Sequence, residues 1–376
     1  MNLSRRALLT ASAALVAGPR LTLADSTPSA PRAPTAEEPL VLCWNENPYG
    51  PSPAARIALN GTVSHACRYP EREIGLLQNA LVAKEGLGAD QIMTGSGSGE
   101  LLSALGALIG REGGELVVAE PTFLELPAYA QRTGATVKNV PVDALLCHDL
   151  NAMRAAVGDK TRVIYLCNPN NPTGTTLPAA RIRGFVDSLP EHVTTVVDEA
   201  YLEFVDDPSV QSVTDLVRSG KRVVVLRTFS KIHGMAGVRC GYAMGQADMI
   251  QRMTDVRMST PNIFAMRAAL ASLGDHAFLT DTRRRVIASR RRITAELDRL
   301  GMPYAKAQGN FVFFDTGMPI GTFQERMRAR HILVGRRFPP FDNWCRITIG
   351  TEPQVDTFLA ALRGIAADST GKRKIG

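Results

Sequence analysis

Absences bound this sequence first. None of its six cysteines, Cys43, Cys67, Cys147, Cys167, Cys240 and Cys345, stands in a Cys-x-x-Cys pair, so the spacing supports neither a metal knuckle nor a thioredoxin-like redox site. No run in the body approaches the roughly 20 apolar residues that cross a bilayer, which argues against membrane insertion. No basic segment carries the aromatic interleaving of a nucleic-acid patch. The formal charge of +7 is gathered at the ends, in Arg5, Arg6 and Arg20 and in Lys372, Arg373 and Lys374, leaving the body near neutral. One Arg-dense stretch remains, Arg283 to Arg299, where Val286, Ile293, Leu297 and Leu300 fall at offsets 0, 7, 11 and 14. That spacing predicts an amphipathic helix with the arginines on the opposite, solvated face.

What is present is an ordinary globular composition, 45% hydrophobic and 21% charged over 376 residues, long enough for a large domain with a smaller companion. The beginning reads differently. Arg5-Arg6 precedes a short Ala/Leu/Val stretch and small residues up to Ala24, the pattern of a twin-arginine export signal over 1–24 and hence of a periplasmic or secreted protein. An Ala-rich terminal helix on a cytoplasmic protein is the alternative. Pro28, Pro31, Pro34 and Pro39 mark 25–39 as an extended linker. We expect an N-terminal arm over 40–60, a large domain over 61–265 and a small C-terminal domain over 266–370. Outside the cytoplasm an even number of cysteines permits disulfides, yet Cys167 and Cys240 lie in apolar segments where buried free thiols are expected.

Short apolar runs without polar alternation recur at Ile92-Met93-Thr94, Leu116–Ala119, Val163–Cys167, Thr195–Val197 and Val223–Leu226. Such runs suit strands buried on both faces of a mostly parallel sheet with helices between them, an α/β fold. Ligands bind beyond the carboxyl ends of such strands. There the sequence places Gly95–Glu100, Pro121-Thr122-Phe123, Asn168–Gly174, Asp198–Tyr201 and Thr228–Lys231. From about residue 262 helical segments follow, with strand-like runs at 310–314 and 345–349, expected to form the smaller α+β domain.

Several of these residues carry chemistry by type and position. Lys231 follows a buried strand rather than sitting in a solvated run, which suits a reactive amine. Asp198, at the end of a Val-Val strand, is costly to bury without a cation to meet it. The glycine-rich loop Gly95–Gly99 opens a helical segment, so the backbone N–H groups of Ser98 and Gly99 can hold an anion. A dinucleotide fingerprint would need a glycine where Glu100 stands.

Together, Asn45-Glu46-Asn47-Pro48-Tyr49-Gly50, Arg68-Tyr69-Pro70, Asn171–Gly174, Asp198–Tyr201, Ser230-Lys231 with Arg239, and Arg346–Gly350 resemble fold-type I pyridoxal 5′-phosphate aminotransferases of the histidinol-phosphate aminotransferase branch. The resemblance covers roughly residues 41–365. It implies a three-layer fold, transamination between an amino donor and a 2-oxo acid, and a homodimer with a shared active site. By resemblance Lys231 carries the cofactor as a Schiff base and moves protons, and Asp198 pairs with the ring nitrogen. Asn171 and Tyr201 reach the phenolic oxygen, and Phe123 stacks on the ring. Ser98, Gly99, Thr228, Ser230 and Arg239, with Tyr69 of a neighbouring subunit, hold the phosphate. Arg346 clamps the substrate carboxylate, with Asn47 and Tyr49 nearby. The pattern departs at Gly99, where an acid is usual, at Phe123, where tyrosine is common, and at Gly335, where an arginine often meets a substrate phosphate; Arg336 or Arg337 would then take that part. A decarboxylase resembling threonine-phosphate decarboxylase and a non-catalytic binding protein of this fold are the alternatives.

Overall fold

The computed structural model describes residues 33–372; the export signal and most of the expected linker lie outside them. The strands in chain order are β1 Leu40–Leu42, β2 Ile92–Gly95, β3 Glu115–Glu120, β4 Thr136–Pro141, β5 Thr161–Cys167, β6 Thr194–Asp198, β7 Val223–Thr228, β8 Gly241–Met244, β9 Phe311–Asp315, β10 Ile332–Val334 and β11 Trp344–Thr348. A seven-stranded sheet runs β2-β8-β7-β6-β5-β3-β4. Its β4, β3, β5, β6 and β7 are mutually parallel, and β8 is antiparallel to both its neighbours.

Helices cover both faces, giving three layers. Leu77, Leu81, Ile182, Ala265 and Met266 pack one face through the helices Glu71–Glu85, Ala179–Asp187 and Ile263–Leu273. Leu101, Leu105, Leu126 and Met253 pack the other from Ser98–Arg111, Glu125–Arg132 and Ala247–Asp255. Every residue of β6 and β7 is buried, as unbroken apolar runs require. β4 and β8 escape that reading for physical reasons. β4 is an edge strand and tolerates Lys138, Asn139 and Pro141. β8 has only four residues, none β-branched, and begins on a glycine.

The smaller C-terminal part pairs β9 with β11 antiparallel, setting Arg346 opposite Phe313. Phe311, Phe314, Phe323 and Phe358 fill its core between the helices His276–Leu300 and Glu352–Lys372. The arm is tied to this part, because β1 pairs in parallel with β10. Among the described residues no helix is long and apolar enough to cross a membrane, and the six cysteines are free, with Cys167 and Cys240 buried.

The Arg-rich segment corrects one expectation. Val286, Ile293 and Leu297 are buried as the period requires, but Arg290 is buried with them. Its guanidinium donates to the carbonyls of Phe204, Gln308 and Gly309 and pairs with Asp206 at 2.9 Å. Neighbouring arginines are taken up by carboxylates as well: Arg284 and Arg285 by Asp281, Arg292 by Asp356 and Arg299 by Glu296. The stretch ties its own helix, His276–Leu300, to the loops around it and, through Arg292 and Asp356, to the C-terminal helix. Removing a buried charge partner costs about 3 kcal/mol or more, whereas an exposed pair contributes under about 1 kcal/mol. Arg290→Ala is therefore expected to lower the urea midpoint clearly, and Arg291→Ala, which loses an exposed pair to the same Asp206, to leave it nearly unchanged; equal effects would contradict this account.

Candidate active site

The carboxyl ends of the parallel strands open into a cleft of about 570 Å³. Ser98 and Gly99 enter from the helix after β2, Thr122 and Phe123 from beyond β3, Cys167 and Asn171 from β5, Asp198 and Tyr201 from β6, and Thr228, Ser230 and Lys231 from β7. Arg239 precedes β8. The arm adds Trp44, Asn45 and Glu46, and the C-terminal part adds Arg336, Phe338 and Arg346. Ten of the site residues expected from the sequence outside the C-terminal part thus share one cavity with two of the C-terminal arginines.

One end of the cleft is built for an anion. The helix Ser98–Arg111 starts there with Gly97 as its cap at φ 84°, and its first N–H groups have no partners within the helix. A side chain at Gly97 would run into the Arg239 guanidinium, so the glycine serves both the backbone turn and the close approach of that cation. Arg239 donates to Ser230 Oγ at 3.3 Å and to the Ala236 carbonyl at 2.9 Å. Thr228 Oγ1 donates to Ser230 Oγ at 3.0 Å.

The opposite end holds a carboxylate. Asp198 is buried, receiving Tyr165 Oη–H at 3.0 Å on Oδ2 and the Ala200 N–H at 3.1 Å on Oδ1. Burial raises its pKa to about 6, against the opposing hydrogen bonds from Tyr165 and Ala200. Lys231 lines the same cleft. Its ammonium donates to the carbonyls of Asn45 at 3.0 Å and Trp44 at 3.3 Å. Burial, reinforced by Arg346, pulls its pKa down to about 8.

A ring of hydrogen bonds holds the side nearest the C-terminal part. Arg346 donates to Asn171 Oδ1 at 2.6 Å and to the Cys43 carbonyl at 2.6 Å. Asn171 and Asn45 each donate to Tyr201 Oη, at 3.4 and 3.1 Å. Thr348 closes the ring on Asn45. Arg346 Nε has no partner, so a buried guanidinium is met by neutral acceptors alone.

Four expected residues are not brought to this cavity. Asn47 spends its carboxamide on the Ile232 carbonyl and the Tyr49 N–H. Tyr49 donates to Glu352 and lies over Arg285. Arg337 pairs with Asp342 at 2.6 Å on the surface, and Tyr69 is 85% exposed. Of the two candidate arginines it is Arg336 that lines the cleft, its guanidinium 4.3 Å from the Phe338 ring centroid. Gly335 could not hold an arginine in this backbone. Its N–H bonds the Arg346 carbonyl at 2.9 Å and a Cβ would collide with that same oxygen.

Sequence reading missed Asn45, Phe338 and Tyr165. Asn45 stood in view at the head of the Asn45-Glu46-Asn47-Pro48 run. Tyr165 sits inside an apolar run, and nothing in the pattern distinguishes its hydroxyl from core. The donor set suits pyridoxal phosphate on the structure's own terms: a helix start with Arg239 and two hydroxyls for a phosphate, a buried carboxylate for a ring nitrogen, and an amine of lowered pKa in the same cleft. Among the described residues no group of His, Cys, Asp and Glu is placed to hold a metal.

Comparison with known proteins agrees with this arrangement. The family model for aminotransferase class I and II matches residues 37–362. A histidinol-phosphate aminotransferase of Moorella thermoacetica is 37% identical over 330 residues, covering 87% of this chain and 85% of the relative. An aromatic amino acid aminotransferase of Rhodococcus jostii is 37% identical over 320 residues, covering 85% and 88%. The crystal structure of histidinol-phosphate aminotransferase from Sinorhizobium meliloti in complex with pyridoxal-5′-phosphate superposes with a TM-score of 0.80 at 26% identity, covering 94% of this chain and 99% of that one.

Only a neutral amine captures an aldehyde, and the Lys231 pKa of about 8 makes that form available sooner than in a solvated lysine near 10.4. The rate at which the cofactor-free protein captures pyridoxal phosphate, followed by visible absorbance, is expected to rise roughly tenfold between about pH 7 and pH 9 and then level off. A rate still climbing steeply beyond pH 9.5 would show an unperturbed lysine, and Lys231→Ala should give no such band.

Proposed function

The chain belongs to the class I and II aminotransferases, and from that membership we propose that it passes the amino group of an α-amino acid with a planar side chain to a 2-oxo acid, with pyridoxal 5′-phosphate bound around Lys231. The cofactor, when bound, supplies an electron sink for the bonds to the amino-bearing carbon. The chain's residues do the rest. Lys231 Nζ holds the cofactor and moves the proton at the substrate Cα. Asp198 holds a proton on the ring nitrogen, while Asn171 and Tyr201 orient the phenolic oxygen. Phe123 covers the ring. Ser98, Gly99, Thr228, Ser230 and Arg239 hold the phosphate.

The observation that carries the substrate reading is Arg346. A buried guanidinium facing only neutral acceptors, with one N–H unpartnered, is a receptor for a carboxylate, which pairs with arginine through parallel hydrogen bonds. Trp44 and Phe338 line the same cleft and offer flat apolar surface to a substrate ring. The relatives from Rhodococcus and Moorella are named for an aromatic amino acid and for histidinol phosphate, both ring-bearing amines, the second with a phosphate ester where the first has its carboxylate. For a phosphate carried on that ring's side chain, Arg336 is the guanidinium at hand.

Mixing the holoenzyme with single amino acids and measuring 2-oxo acid release is expected to favour phenylalanine, tyrosine and histidine over aspartate, with histidinol phosphate tested separately by loss of the amine. Losing a charged hydrogen-bond partner costs about 1.5–3 kcal/mol, so Arg346→Ala should raise KM roughly 10- to 100-fold for carboxylate donors. Carbon dioxide released without a 2-oxo acid would replace transamination by decarboxylation.

We further propose export and dimerisation. Arg5-Arg6 supports twin-arginine export, a route that carries folded proteins and so permits cofactor loading before transport. The exposed Ile57, Val63 and Tyr69 support a subunit interface through which Tyr69 would reach the partner's phosphate end. An osmotic-shock fraction from the source cells is expected to contain the protein, eluting as a dimer by light scattering. Its confinement to the cytoplasm would reject export, and a monomer would reject the shared site.

A further inference from the structure

Tyr165 lies on β5 beside Val196 of β6 in register, two residues before the Cys167 and Asp198 pair. In parallel strands residues two apart share a face, so the phenol and the carboxylate point to the same side, toward the helix Ser98–Arg111. That side supplies Leu101, Leu102 and Leu105, apolar groups that offer the hydroxyl nothing. The ring is fully buried, and the hydroxyl's hydrogen bond goes to Asp198 Oδ2 at 3.0 Å. Phenylalanine would fill the same space. A buried phenol kept against an apolar layer is explained by its polar neighbours, the Asp198 carboxylate and, more weakly, the Cys167 thiol.

We propose that Tyr165 is a positioning residue for the cofactor: its hydroxyl, with the Ala200 N–H, fixes the Asp198 carboxylate in one plane and keeps it ionised at neutral pH, so that it meets a protonated ring nitrogen. This rests on the reading of Asp198 as the partner of that nitrogen. The geometry leaves the task to Tyr165, because no ammonium or guanidinium bonds Asp198. Of the charged or titratable groups around it, Glu199 is bound to Arg227 at 2.8 Å, Cys167 is a buried thiol, and Tyr201 accepts from Asn45 and Asn171. Lys231 acts on Asp198 at longer range, lowering its pKa as Glu199 raises it. Burial alone drives the carboxyl toward protonation, and the Tyr165 hydrogen bond is the first force opposing it.

A test uses pyridoxamine 5′-phosphate, which has the ring nitrogen and the phosphate but no aldehyde, so capture by Lys231 does not enter. Its dissociation constant from the cofactor-free full chain is measured from pH 5 to 9 by fluorescence. The wild type should weaken as pH falls through about 6, as Asp198 takes up a proton. A hydrogen bond to a charged group is worth on the order of one pKa unit. In Tyr165→Phe the inflexion should therefore move up by about one unit, with roughly threefold weaker binding near pH 6.5 and close to tenfold weaker binding at pH 5. Asp198→Asn should bind weakly without that inflexion, and adding Tyr165→Phe to it should change nothing more. An unshifted inflexion in Tyr165→Phe, or additive losses in the double variant, would overturn the positioning role and leave a packing role. Failure of the wild type to bind the probe would instead overturn the cofactor reading itself.

Discussion

The structure turns on a closed circuit of hydrogen bonds: Arg346 to Asn171, Asn171 to Tyr201, Tyr201 to Asn45, Asn45 to Thr348, and back along β11 to Arg346. Its members come from the arm, from two loops at the carboxyl ends of the sheet, and from the C-terminal part. Each bond contributes modestly when exchanged with water, but a buried polar group left without its partner is expensive. The circuit therefore acts as a unit. Arg346 and Thr348 can join it together because they sit two apart on one face of β11, and Asn45 can join because its backbone turns at φ 55°. The same turn presents the Asn45 carbonyl to Lys231.

Around that circuit the cleft carries charges of both signs. Lys231, Arg239, Arg346 and Arg336 face the cleft together with Glu46, Glu100, Glu125 and Asp198, while Glu199 and Glu203 are held by Arg227 and Asp206 by Arg290 and Arg291. Burial, with Arg346 and Arg239 nearby, lowers the Lys231 pKa against the opposing pull of Glu46 and Asp198. Asp198 is the cleft carboxylate held by Tyr165.

Much of this was legible in the order of residues. Unbroken apolar runs marked β2, β3, β5, β6 and β7, because strands buried on both faces cannot alternate. The residues after each run marked the cleft, because in a parallel sheet the chain's polar turns gather at one edge. What failed to show is equally physical. β4 carries polar residues because an edge strand needs only one buried face. Arg290 looks like its exposed neighbours in the helix until the carbonyls of Phe204, Gln308 and Gly309 are seen around it. Gly335 reads as a missing arginine, whereas the backbone there lies too close to the Arg346 carbonyl for any side chain.

The sequence by itself determined five of the seven strands of the sheet, the lysine after β7, the acid at the end of β6 and the glycine-rich loop after β2, since each follows from local pattern and from the direction of parallel strands. The tertiary structure decided which of the remaining polar residues serve the cleft. It turned Arg336 inward and Arg337 outward, took Asn47 and Tyr49 for framework contacts, and set Tyr165 under Asp198. These outcomes depend on distances between segments remote in the chain, which local preference does not encode.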